Sequence, residues 1–163
     1  MSNTILFDFT KTSNIDNWRI VDDGVMGGRS NGNFEINKDG HGKFSGEISL
    51  ENNGGFSSLR YSFDTKNVSE YSKVKLRVKG DGNNYQFRIK SSNQDFASYI
   101  YEFETTNNWT TIEVPFEAMY PAYRGQRLRR VNFKGDQIEQ IAFLIGNKKE
   151  QSFELLIDTI ELE

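Results

Sequence analysis

Large apolar residues alternate with polar or small ones along most of the chain, first in Ile5, Phe7, Phe9 and again in Phe44, Gly46, Ile48, Leu50. A period of two places every second side chain on one face, the mark of a half-buried strand. The pattern returns in Val74, Leu76, Val78, in Tyr85, Phe87, Ile89 and in Tyr99, Tyr101, Phe103. Three further runs follow: Ile112, Val114, Phe116, then Ile141, Phe143, Ile145, then Phe153, Leu155, Ile157. No segment sustains a helical period; VSEYSK at 68–73 and PFEAMY at 115–120 amount to one or two turns each. Eight or more short strands between polar or glycine-bearing turns predict an all-β sandwich of two packed antiparallel sheets.

At 163 residues the chain has the size of one domain, and no repeat or linker divides 1–163. The absence of cysteine excludes disulfides and thiolate chemistry and fits a reducing, cytoplasmic setting. His41, the lone histidine, cannot build a multi-histidine metal site, and its GHGKF setting reads as the start of a strand. A net charge of −3 repels polyanions, so no nucleic-acid partner is expected. The longest apolar run, IAFLI at 141–145, is far too short for a membrane span, and MSNTILFDFT lacks the pattern of a secretory leader.

Eleven of the fourteen glycines lie at or before Gly82. Three of them interrupt DDGVMGGRS at 22–30, where the plain reading is a bulge or tight turn and the functional one a loop offering N–H groups and carboxylates to a partner. SLENNGGFSS at 49–58 has hairpin-turn character, with Phe56 resuming a strand. KGDGNNY at 79–85 imitates a phosphate loop, but GxGxxY is followed by the strand-like YQFRIK rather than a helix. Between Ala118 and Gly135 there is no acidic residue, while Arg124, Arg127, Arg129, Arg130 and Lys134 interleave with Tyr120, Tyr123 and Phe133. That stretch reads as a solvated loop or a protein-docking surface. No nucleophile, base and orienting group stand out together, so no catalytic residue and no cofactor is assigned. Asp8 and Asp158, in the first and last strands, could share a calcium ion that ties the termini, though ordinary surface carboxylates are the simpler reading.

Taken in order, WRIVDDGVMGGRS (18–30), GKFSGEISLENNGGFSSLR (42–60), LRVKGDGNNY (76–85), VPF (114–116) and FELLIDTI (153–160) resemble the domain of complex I intermediate-associated protein 30, an assembly-factor family of NADH:ubiquinone oxidoreductase. The resemblance implies a galactose-binding-domain-like jelly roll with a non-enzymatic assembly or chaperone role and no cofactor. The start of the chain lacks the arginine-rich transit segment of mitochondrial members, and a cytoplasmic bacterial relative is expected. The partner is expected to be a protein client, such as a respiratory-complex assembly intermediate. A carbohydrate-binding module is the alternative, with Trp18, Tyr85, Tyr99 or Trp109 as platforms and Arg88 or Asn83 as polar partners. Clustered glycine beside charged groups places the docking surface on three segments, which are expected to converge. These are Asp22, Asp23, Gly24, Met26, Gly27, Gly28, Arg29 and Ser30; Asn53, Gly54, Gly55 and Phe56; and Gly80, Asp81, Gly82 and Tyr85.

Overall fold

A computed structural model describes residues 4–23, 29–51 and 55–163. Of the expected site, Gly24, Met26, Gly27, Gly28, Asn53 and Gly54 lie outside the described residues. The strands in chain order are β1 (Thr4–Asp8), β2 (Trp18–Asp22), β3 (Asn31–Ile36), β4 (Gly42–Ile48), β5 (Ser57–Asn67), β6 (Lys73–Lys79) and β7 (Asn84–Lys90). They continue as β8 (Ser98–Glu104), β9 (Thr110–Pro115), β10 (Tyr120–Tyr123), β11 (Gln126–Arg127), β12 (Gln137–Ile145) and β13 (Gln151–Leu162). Among the described residues no helix is long and apolar enough to cross a membrane.

Two antiparallel sheets form. The first runs β3-β4-β13-β6-β9, with β1 also on β13; the second runs β11-β10-β8-β7-β12-β5-β2. The alternation seen in the sequence explains the layers, because one face of each strand supplies the interior. Ile20, Leu59, Phe143, Phe87 and Tyr101 lie in register across five strands of the second sheet. Phe44, Leu76, Val78, Leu155 and Ile157 meet them from the first, all fully or almost fully buried. Phe7, Phe9, Trp18, Phe34 and Tyr61 extend this core, Trp18 stacking on Tyr61 with ring centroids 4.6 Å apart.

Two expectations need correction, that Phe116 and Leu50 continue strands and that the arginine-rich stretch is a loop, and one strand was not foreseen. Phe116 belongs to a short 3-10 turn at Phe116–Ala118, where the chain leaves one sheet for the other, and Leu50 lies beyond the end of β4. Asn31–Ile36 is a strand although its apolar content is thin, because β4 next to it supplies the ladder: Phe34 pairs Phe44 and Gly32 pairs Gly46. The arginine-rich stretch is no open loop. It contains the β10–β11 hairpin, whose two turn residues, Arg124 and Gly125, both have positive φ, 48° and 79°. That is the backbone twist a two-residue hairpin needs.

Candidate functional site

The register of the strands brings to one end of the sandwich the strand ends that flank five connections: Asp22 and Asn31, Ile48 and Ser57, Lys79 and Asn84, Glu104 and Thr110, and Ile145 and Gln151. The three segments singled out in the sequence are therefore at the same end. Asp23 joins the first two. Its carboxylate accepts from Ser30 N (2.9 Å), Ser30 Oγ (2.5 Å), Gly55 N (2.6 Å) and Phe56 N (3.2 Å), while Asp23 N donates to Phe56 O. Burial alone would push this carboxyl up, but the donors from Ser30, Gly55 and Phe56 outweigh it and hold it below the ordinary carboxylate range. Ser30 Oγ also accepts from Ser49 N, closing the link to the end of β4. Asp22 works one residue earlier, accepting from Gly32 N at 3.0 Å and Ser57 Oγ at 2.5 Å. A Cβ on Gly32 would lie 2.1 Å from Ser57 Oγ, so only glycine lets β3 come this close.

The third segment has a different task. β4 pairs with Gln151–Ile157 of β13 and β6 with Leu156–Leu162, so the opposite edge of the first half of β13 has no strand partner among the described residues. The 80–83 connection covers it: Asp81 accepts from Glu154 N at 2.7 Å, and Asn83 Nδ2 donates to Ser152 O. Asp81 also accepts from Asn83 N and Nδ2 and from the Tyr85 hydroxyl. Burial of Tyr85, and next the adjacent Asp81 carboxylate, push that hydroxyl well above its ordinary value. A Cβ on Gly80 would sit 2.1 Å from Cβ of Thr105, while Gly82 has φ of 88°.

Asp23 and Tyr85, expected on the docking surface, are thus inside the fold, and Ser30 is buried with them. They hold the loops rather than meet a partner. Arg29 does reach the surface, where it pairs loosely with the equally exposed Glu51 at 3.5 Å. Gly55 and Phe56 are half-buried, as are Asp22, Gly80 and Asp81, and Gly82 is exposed.

The bridge between the segments is a turn that sequence reasoning missed. Gly146 follows β12, and a Cβ there would be 3.1 Å from Gly55 O. Gly146, Asn147, Lys148 and Lys149 line a depression of about 410 Å³ with Gly82, Asn83 and Asn84. A second depression, about 480 Å³, shares Asn84, Gly146 and Asn147 and continues over Gln86, Glu102 and Leu144 onto the outer face of the second sheet. Amides tie the floor: Gln151 Nε2 donates to Asn83 Oδ1 at 2.7 Å and Asn147 Nδ2 to Gln151 Oε1 at 2.9 Å. The GNKKE composition of 146–150 was a turn signal available in the sequence.

The family pattern of complex I intermediate-associated protein 30 matches residues 7–157. The chain belongs to that family. It is 26% identical over 96% of its length to an uncharacterized protein of Schizosaccharomyces pombe, of which it covers 82%. It is 24% identical to the mitochondrial complex I intermediate-associated protein 30 of Mus musculus, again over 96% of this chain but only 55% of the mouse protein, and so spans about half of that relative. In fold it is similar to a family 11 carbohydrate-binding module from a cellulosomal cellulase of Clostridium thermocellum, with TM-score 0.72, 22% identity, and 99% and 94% of the two chains covered. An agarase shares the fold at TM-score 0.71 and 11% identity, over 100% of this chain and 24% of the agarase. At such identities the likeness shows the jelly-roll architecture alone.

The rings that a sugar would need are mostly committed elsewhere in this family member. Trp18, Tyr85 and Tyr99 are buried. Trp109 is half-buried against His41, centroids 4.5 Å apart, with the Arg77 guanidinium 5.2 Å from its ring centre. The terminal strands β1 and β13 are tied by their own ladder. Asp8 pairs in the ladder with Thr159, and the Asp158 carboxylate is answered by Arg77 Nε at 3.1 Å and His41 Nε2 at 3.7 Å. Among the described residues no group of three histidine or acidic side chains suits a metal ion. In the arginine-rich stretch, Arg130 pairs with Asp95 and lies over Phe96, and Arg127 lies over Tyr120.

Proposed function

We propose that the chain is a non-catalytic binding module that holds a protein client, an assembly intermediate of a respiratory complex, at the loop end of the sandwich. Its membership of the complex I intermediate-associated protein 30 family over residues 7–157 carries this reading. The geometry supports it: the buried Asp23 and the half-buried Asp81 tie down connections whose outer groups, such as Gly82 and the exposed Arg29–Glu51 pair, face a partner. Preorganised loops lose little entropy on binding, which raises affinity without added contact area. The proposed setting is the cytoplasm, in keeping with a chain that has no cysteine.

The carbohydrate-binding alternative draws its support from the fold it shares with such modules. Affinity capture from the native host with the tagged wild type and Arg29→Glu separates the readings. Membrane-complex subunits retained by wild type and lost with Arg29→Glu fit a client docked at the loop end. Retention on polysaccharide resin, with no protein partner, would replace it with the alternative.

A further inference from the structure

The outward face of the second sheet carries a row of cations that the loop-end reading does not use. Arg19 pairs with Arg60 across β2–β5, Arg60 with Ala142, Ala142 with Arg88, Arg88 with Ile100 and Ile100 with Tyr120. Lys90 lies two residues beyond Arg88 on the same face. Adjacent strands are about 4.8 Å apart, so Arg60 and Arg88 flank Ala142 at about 10 Å, the reach of three residues of extended chain. Ala142, itself buried, lies between the two guanidiniums.

The three arginines have no carboxylate partner at ion-pair distance among the described residues, while Asp95 is the acidic group that acts on Lys90. Arg88 Nε and Nη2 donate to the neutral Gln86 Oε1, and Arg60 Nε to Ser58 Oγ. Ser58, Ala142 and Gln140 are buried although they point outward beside these arginines. Burial first, and then the neighbouring Arg60, push Arg88 down to about 10; burial and then Arg19 lower Arg60. Half-buried, mutually repelling guanidiniums are costly to the fold, and an incoming carboxylate would relieve that cost.

We propose that this face binds an extended acidic segment of the protein client, its carboxylates paired by Arg60 and Arg88 with Arg19 and Lys90 alongside. This rests on the reading of the chain as a protein-binding module. A peptide fits better than a sugar or a nucleotide chain, both of which want an open aromatic platform. The ring on this face, Tyr120, is capped by the Arg127 guanidinium 4.7 Å from its centre, and its hydroxyl donates to Glu102.

Fluorescence anisotropy of a labelled oligoglutamate peptide, with oligoglutamine, oligogalacturonate and a single-stranded oligonucleotide alongside, tests the proposal. The expected result is binding of oligoglutamate alone that weakens with salt and by about tenfold or more in Arg60→Gln/Arg88→Gln. Arg19→Gln, on the exposed rim, should weaken it less and keeps the test available if the double variant does not fold. Lys38→Gln, in the exposed turn between β3 and β4 of the other sheet, should leave it unchanged. No binding of oligoglutamate by wild type, equal affinity for oligoglutamine, an unaffected folded double variant, or tighter binding of the uronate or the oligonucleotide would overturn the proposal. Such failure would leave client capture through Arg29 standing, so the two claims fall separately.

Discussion

Replacing Asp23 by asparagine changes one atom and should unfasten two loops. Asp23 Oδ2 accepts from Ser30 Oγ, Gly55 N and Phe56 N, while Oδ1 accepts from Ser30 N. An asparagine that keeps the Ser30 N bond turns its amide nitrogen toward the backbone donors of Gly55 and Phe56, setting donors against donors. Charge-assisted bonds contribute roughly 1.5 to 3 kcal/mol each, and donors orphaned in a buried setting cost more than the bonds alone. The expected loss for Asp23→Asn is about 3 to 5 kcal/mol, or a Tm lower by about 10 °C in a domain of this size. Urea unfolding followed by the fluorescence of Trp18 and Trp109 measures it. The pH dependence gives a second readout. The folded-state carboxyl is lowered, so its stabilisation is present above the ordinary carboxyl value and is lost as pH falls through the folded one. Wild type should therefore approach Asp23→Asn in stability as the medium turns strongly acidic. A loss below about 1 kcal/mol at neutral pH would refute the clamp.

Two other perturbations test neighbouring parts of the account. Gly80→Ala should lower stability by about 1 to 3 kcal/mol in the same urea assay, because the new methyl would overlap Thr105 at 2.1 Å and displace the connection covering β13; an unchanged midpoint would show that the connection moves freely. Arg88→Met should leave the thermal midpoint unchanged or raise it, since a half-buried cation hydrogen-bonded to the neutral Gln86 and repelled by Arg60 is exchanged for apolar volume; a large drop in calorimetry would make Arg88 part of the scaffold.

The alternation of large apolar residues was enough to locate most strands and the sandwich class, because burial on one face imposes a period of two. Asn31–Ile36 escaped because its ladder depends on Gly46, where a Cβ would lie 1.9 Å from Asn31 O of β3, rather than on apolar side chains. The β10–β11 hairpin escaped because Arg124 occupies a left-handed turn position where asparagine is the more familiar signal. The glycine-rich segments were legible as a group, and the strand register does bring them to one end. Their division of labour was not legible. Nothing in DDG shows that the second aspartate turns inward to four donors while Arg29 turns out. The arginine row was equally hidden, since Arg19, Arg60 and Arg88 become neighbours only through pairings across β2, β5, β12 and β7.

The most direct test of a client-holding role is native electrophoresis of host membranes and soluble extract, with the protein followed by antibody. If the chain holds an assembly intermediate, it should migrate with a partly built membrane complex and be missing from the finished one, and Arg29→Glu should return it to the position of the free domain. Migration as the free domain under every condition, together with binding to a β-glucan or agarose column, would contradict the account.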